Sequence, residues 1–258
     1  MLIPLQGDCM RIASMIAALF VLTALHAPVH AAAQQSSGAP VAVASPAMKD
    51  DQAREICESG GPAGSAVLAD RMPDIPADKL TDEQKKVVTE FAAARGNERG
   101  GNLFGPYVAL GRDPEVLRYT EQLGNYLQYK SVLPTKIRQF IMAITARQWS
   151  QEYMWGVHCP QSLKAGVSLE TVKALAEGRR PTGMPEDEAI TYDFLDELHR
   201  NQSVSDKTYA TAISKFGEQG IIDMIGLNGY YTYIAMVLNA TRHPVNPGAK
   251  PGLPVFPR

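Results

Sequence analysis

A carboxylate, an imidazole and a thiol lie close together between residues 148 and 166, as Glu152, His158 and Cys159. Histidine is the usual proton carrier near neutral pH, because its unperturbed pKa is about 6.5. A carboxylate within reach can orient an imidazole, and a thiol is a nucleophile only as its thiolate. The three residue types therefore predict either proton transfer or thiol chemistry.

The spacing of Glu152 and His158 does not by itself bring their side chains together on a regular helix. Side chains on a regular helix meet at spacings of three or four, so residues six apart point about 120° away from each other. Pro160 removes one helical hydrogen bond and disfavours helical geometry at Cys159. We therefore expect a kink or break that turns His158 toward a cleft, with Glu152 orienting it.

Three further residues are predicted to bind substrate. Trp155 shares a helix face with His158, three residues away. Arg147 ends the preceding helix, where it could anchor a carboxylate or simply stabilise a helix C-terminus. Tyr231 lies on the apolar last helix. The structural alternative is a hydrogen-bonded buried His158, a core Trp155 and a solvated Glu152.

The first thirty-odd residues predict export. After Arg11 comes a long uncharged apolar run closed by small residues, so residues 1–33 are typical of a Sec-type signal peptide that directs a protein to the periplasm or out of the cell. A retained membrane anchor is the alternative. Residues 34–74 are predicted to be a flexible leader, residues 75–243 one helical domain, and residues 244–258 a proline-rich tail.

Export would leave Cys57 and Cys159 in an oxidising setting, since Cys9 lies in the signal segment. Two such cysteines can form a disulfide, or one can stay as a reactive thiol. The sequence leaves both alternatives open.

Almost every segment after residue 80 has the apolar spacing of a helix, and no window alternates strictly as a half-buried strand does. Helix starts are predicted at the caps Thr81 or Asp82, Asp113 and Ser168, and a break in the last helix near Gly217 or Gly220. The helix after Asp113 carries four apolar residues on one face: Val116, Tyr119, Leu123 and Leu127. The predicted fold class is all-α.

The charge and the motifs of the sequence limit the kinds of binding partner that we expect. The 25 basic and 27 acidic side chains give a net charge of −2, without clustered Lys or Arg, so we expect a small-molecule substrate and no nucleic acid. Stable membrane insertion is not expected after cleavage of the signal. The chain lacks zinc-binding spacings and phosphate-binding glycine loops, so no metal is predicted.

Two stretches, "PTKIRQFIMAITARQWSQEYMWGVHCPQSLKAGVSLETVKAL" and "FGEQGIIDMIGLNGYYTYIAMVLNA", resemble the carboxymuconolactone decarboxylase-like family, which also contains alkylhydroperoxidase D. The resemblance covers about residues 80–243. It implies an alkylhydroperoxidase D-like helical bundle, a homo-oligomer, and sites among helices near subunit contacts.

The family has two chemistries. Its peroxidase branch uses Cys-x-x-Cys-x-x-x-His, but counting back from His158 those cysteine positions hold Gln151 and Met154, and the upstream acid position holds Gln139. Two-cysteine peroxidase activity is therefore not expected.

The decarboxylase branch uses no organic cofactor or metal and needs one proton carrier, a role that His158 fits. The resemblance thus implies an exported, cofactor-independent lyase that acts on a small lactone or oxygenated organic acid. The alternatives are a non-catalytic periplasmic binding or assembly protein on the same fold, and a residual thiol peroxidase that uses Cys159.

Overall fold

The computed structural model describes residues 50–58, 69–95, 98–245 and 253, all within the unit that spans residues 45–258. In these residues the regular structure is helical and contains no strand, which confirms the predicted all-α class. The α-helices are α1 (Asp50–Cys57), α2 (Asp82–Ala94), α3 (Pro106–Leu110), α4 (Pro114–Asn125), α5 (Thr135–Gln148), α6 (Glu152–Lys164), α7 (Leu169–Ala176), α8 (Glu186–Asn201) and α9 (Asp206–Thr241). A π-helical turn, Tyr126–Lys130, continues α4, and short 3-10 turns lie at Ala77–Lys79 and Glu98–Gly101.

The helices begin where the capping residues predict. Thr81 forms a capping box with Gln84, in which each side chain accepts the other residue's backbone N–H. The side chains of Asp113 and Ser168 cap α4 and α7 in the same way. Gly217 interrupts α9 at a positive φ of 69°, a conformation that costs glycine little, so the predicted break is confirmed there.

Helix α5 lies at the centre of the fold and packs against α6, α8 and α9. Its apolar residues are almost entirely buried, with Ile137, Phe140 and Ile141 at 0% exposure. Polar groups on α9 are paired: Asn228 donates to the Thr145 hydroxyl at 2.9 Å. By length and composition α9 could cross a membrane, but 56% of its most apolar window is buried inside the protein. It is the second core helix.

Part of the predicted flexible leader is folded. Helix α1 lies within residues 34–74 and packs against α6, where Cys57 and Cys159 form a disulfide with Cα atoms 5.9 Å apart. The carbonyl of Cys57 also accepts from Trp155 Nε1 at 3.1 Å. Residues 50–57 are therefore corrected to an ordered part of the domain. The predicted signal peptide lies outside the described residues, as does all of the tail except residues 244, 245 and 253.

The predicted apolar face of α4 does not point into the core. Val116, Tyr119 and Leu123 are 38%, 64% and 49% exposed, and only Leu127 is buried, on the π-helical turn. The buried residues of α4 are instead Leu117, Thr120, Glu121 and Gly124, and Gly124 lies against Tyr230. An apolar strip is thereby left on the surface.

Candidate active site

A cavity of about 330 Å³ opens among α3, α6 and α9, near the end of α2. His158 on α6, Tyr230 and Tyr231 on α9, Tyr107 on α3 and Arg95 after α2 line it. Apolar side chains of α6 and α9 complete the wall. The cavity therefore combines one imidazole, one guanidinium and several phenols on a surface that is about half polar and half apolar.

His158 is 7% exposed and contacts one polar side chain, that of Gln139 on α5. Its Nδ1 lies 3.2 Å from Gln139 Oε1. Because an amide oxygen only accepts, Nδ1 carries the hydrogen and Nε2 is a free acceptor. Among the described residues nothing hydrogen-bonds to Nε2, which leaves this nitrogen to meet a ligand in the cavity.

Burial sets the protonation state of His158. Desolvation lowers the pKa of the imidazole to about 4, because the charged form loses its water. At neutral pH the ring is therefore neutral. A neutral imidazole with an open Nε2 can accept a proton.

Ser162 fixes the position of His158 relative to α5. Its hydroxyl lies 2.9 Å from the Gln139 carbonyl and 2.8 Å from the His158 carbonyl, so it ties α6 to α5 at the level of the imidazole. Helix α6 runs without interruption through Pro160. The expected break is therefore absent, and His158 reaches the cavity from within a continuous helix.

Glu152 is not brought to His158. It is the first residue of α6 and does not line the cavity. Its carboxylate accepts from the Leu253 backbone N–H at 3.4 Å and acts electrostatically on Arg147. Because α6 is a continuous helix, the six-residue spacing places the side chains of Glu152 and His158 on different faces. The prediction that Glu152 orients His158 is therefore corrected.

Two of the predicted substrate-binding residues also lie elsewhere. Trp155 is 1% exposed and packs in the core beneath α1. Arg147 is buried and lines a separate cavity of about 130 Å³, between α5 and α8. Burial lowers the pKa of Arg147, while Glu152 acts to raise it. Neither Trp155 nor Arg147 lines the cavity that contains His158, so the prediction that they bind substrate beside it is corrected.

Tyr231 does join His158. The two rings meet edge to face, with centroids 4.9 Å apart and an interplanar angle of 89°. Burial raises the pKa of Tyr231 above its ordinary value, so its phenol stays protonated. In the described part of the chain its hydroxyl has no hydrogen-bond partner.

Cys159 is next to His158 in sequence but takes no part in the cavity. Its side chain is 0% exposed and is held in the disulfide with Cys57. A disulfide sulfur is not a thiolate, so the structure offers no free thiol there. The thiol-peroxidase alternative is therefore corrected for this oxidised form of the protein.

Arg95, Tyr107 and Tyr230 form a network that the sequence did not reveal. Arg95 Nη2 donates to the Tyr107 hydroxyl at 2.7 Å, and the hydroxyls of Tyr107 and Tyr230 lie 3.2 Å apart. Arg95 Nε lies 3.6 Å from the Glu121 carboxylate. Burial acts to lower the pKa of Arg95, but Tyr107, other phenols and Glu121 raise it overall.

No sequence spacing connects these residues to the His158 motif. Arg95 follows the end of α2, and Tyr107 lies on the short helix α3. Within the described ranges there is also no group of three or more His, Cys, Asp or Glu side chains that could hold a metal.

No family model and no curated protein matches the sequence. Similar solved structures do exist. An uncharacterized peroxidase-related protein from a Silicibacter species is 18% identical, with a TM-score of 0.56 over 72% of this chain and 97% of that one. The debrominase Bmp8, bound to 2,3,4-tribromopyrrole, is 12% identical, with a TM-score of 0.54 over 70% and 94% of the two chains.

A protein of unknown function from Agrobacterium tumefaciens, described as a putative antioxidant defence protein AhpD, is similar over 52% of this chain and 93% of its own, at 15% identity and a TM-score of 0.47. The peroxidase-related protein and the debrominase have TM-scores above 0.5, and at their low identity they establish the fold alone. This chain therefore shares the all-α fold of these two proteins.

Proposed function

We propose that this protein is an enzyme that moves a proton on a small lactone or oxygenated organic acid, with His158 as the general acid and base. One observation carries the proposal: a buried, neutral imidazole that lines a cavity of about 330 Å³ and whose Nε2 has no hydrogen-bond partner among the described residues. A volume near the lower end of the usual range for ligand sites suits a small molecule.

For a lactone that bears a carboxylate, the chemistry is a decarboxylation. The bond between the ring carbon and the carboxylate breaks, carbon dioxide leaves, and the electron pair passes into the conjugated carbonyl. His158 takes one proton from solvent at Nε2 when the negative substrate binds, because a nearby anion raises the pKa of an imidazole. It then gives this proton to the carbon, and the ring becomes neutral again.

Gln139 has a positioning role in this proposal. Its carbonyl oxygen holds the hydrogen on Nδ1, which leaves Nε2 as the nitrogen that exchanges protons. The neutral amide avoids the permanent charge that a carboxylate would bring to this position. His158 can therefore return to the neutral state after each turnover.

Export and self-association belong to the same proposal. The disulfide between Cys57 and Cys159 supports an oxidising compartment, either the periplasm or the cell exterior. Besides the exposed apolar strip on α4, helix α9 exposes Ile222 and Met236, at 68% and 51%. These exposed apolar side chains support a homo-oligomer that covers them.

The proposed activity is tested by incubating the mature protein with γ-carboxymuconolactone and a panel of related lactones and keto acids, and by measuring release of carbon dioxide. We expect turnover by the wild type and a loss of about 100-fold or more in His158→Ala. His199→Ala is the matched control, since His199 lies on α8 and lines the separate cavity of about 130 Å³. Equal rates in wild type and His158→Ala contradict the assignment, and no turnover of any compound favours a binding protein.

A further inference from the structure

Of the two hydroxyl hydrogens of Tyr107 and Tyr230, only one takes part in the hydrogen bond between the two residues. Arg95 donates to the Tyr107 oxygen, and the two hydroxyls share one further hydrogen bond, in which either can be the donor. Whichever donates, the other hydroxyl hydrogen has no acceptor among the described residues. Both phenols line the cavity, so this hydrogen is available to a ligand.

Tyr231 adds a second spare donor. Its hydroxyl is unpartnered in the described residues, and its pKa, like that of Tyr230, is raised by burial, so both phenols remain protonated. In the same cavity Nε2 of His158 is an acceptor without a hydrogen-bond partner among the described residues. A ligand that satisfies this set accepts at least two hydrogen bonds from phenols and faces one base.

The positive charge of Arg95 favours a negatively charged ligand. The Arg95 side chain is 7% exposed and lines the cavity, and among the described residues its ionic partner is Glu121, at 3.6 Å. Its charge polarises Tyr107, and through Tyr107 the pair with Tyr230, toward donation. A negatively charged or developing oxyanion is the group that gains most from such donors in a buried site.

The aromatic side chains that line the cavity favour a ligand of flat shape. Six aromatic rings besides His158 line the cavity: Phe104, Tyr107, Tyr129, Tyr153, Tyr230 and Tyr231. Aromatic side chains pack edge to face or offset against flat groups. Planar conjugated ligands therefore fit this surface better than branched aliphatic ones.

We propose that Arg95, Tyr107, Tyr230 and Tyr231 form an oxyanion-binding pole that takes the carboxylate or enolate oxygens of a small planar acid. This assignment rests on the proposed function for its base, His158, and names the substrate class: a flat conjugated carboxylate. The phenols hold the oxygens, and the Nε2 atom of His158 faces the carbon that exchanges a proton. In this site Arg95 has the anchoring role that the sequence suggested for Arg147.

Binding of benzoate, with benzamide as its neutral counterpart of the same shape, tests the pole without any need for turnover. Calorimetric titration of the wild type is expected to show benzoate bound at least about tenfold tighter than benzamide. Tyr231→Phe and Tyr107→Phe are expected to weaken benzoate by about tenfold each, since each removes a hydrogen bond to a charged group or the link to Arg95. Tyr192→Phe removes an equally buried phenol from the other cavity and should leave benzoate binding unchanged.

Two results would overturn the pole: benzamide binding as tightly as benzoate, or the same loss in Tyr192→Phe as in Tyr231→Phe. Circular dichroism of each variant separates loss of binding from loss of folding. His158→Ala separates the two proposals, because it should lose turnover and keep the preference for benzoate. Turnover without anion preference refutes the pole alone, and anion preference without turnover refutes the proposed catalysis alone.

Discussion

Acidification should destabilise this protein through His158. The imidazole has a pKa of about 4 in the folded protein and about 6.5 when unfolded, because burial penalises its charged form. The unfolded chain therefore binds a proton that the folded chain does not as the pH falls through this window. Each pKa unit corresponds to about 1.4 kcal/mol, so the loss reaches about 3 kcal/mol by about pH 4. The stabilisation is fully present above about pH 6.5 and is lost below it.

Urea unfolding at intervals between about pH 7 and pH 4 measures this loss. His158→Gln cannot titrate at this position, so we expect its free energy of unfolding to fall by about 3 kcal/mol less than that of the wild type over the same range. The comparison also removes the contribution of His243, whose pKa burial lowers as well. The C–H proton signals of the His158 ring should report the midpoint directly by NMR. Parallel stability curves for the two proteins, or a ring that titrates near 6.5, would refute the assignment of a buried neutral imidazole.

Three further changes test the surroundings of the site. Reducing the disulfide between Cys57 and Cys159, which are separated by 102 residues, should lower the free energy of unfolding by about 4 to 5 kcal/mol, measured by urea unfolding with and without reductant; an unchanged midpoint would exclude the bond. Gln139→Glu places a carboxylate at Nδ1 and should raise the pKa of His158 by more than about one unit, seen by NMR titration, whereas an unshifted signal would separate the two side chains. A Cβ at Gly124 would lie 2.4 Å from the Tyr230 hydroxyl oxygen, so Gly124→Ala should cost about 1 to 3 kcal/mol and weaken benzoate. Gly229→Ala, where a Cβ meets nothing within 4 Å, should instead stabilise by up to about 1 kcal/mol, and equal effects would contradict the packing.

The elements of this fold were predictable because their signals are local. A capping side chain such as Thr81 or Asp113 acts on a backbone N–H only three residues away, and Gly217 breaks α9 by its own backbone conformation. His158 and Tyr231, both named from the sequence because an imidazole and a phenol on apolar helices stand out, lie together at the cavity. The disulfide between Cys57 and Cys159 is one of the two alternatives that the sequence left open.

The rest of the site was not predictable from spacing, because it depends on packing between distant segments. Arg95 and Tyr107 reach Tyr230 across more than a hundred residues, and neither has a motif around it. Pro160 was expected to break α6, but the surrounding contacts keep the helix intact, so Glu152 stays away from His158. Helix α1 was assigned to a flexible leader because its composition is polar, whereas a covalent bond and a buried face hold it in place.

Deuterium transfer tests the central claim that His158 exchanges a proton with a substrate carbon. The reaction with γ-carboxymuconolactone, or with whichever lactone or acid of the panel is turned over, is run in heavy water and the product is examined by NMR. We predict one deuterium at the carbon that loses the carboxylate, or at its conjugated position, with the wild type, and loss of product formation with His158→Ala. Formation of the same deuterated product by His158→Ala at the wild-type rate would contradict the account.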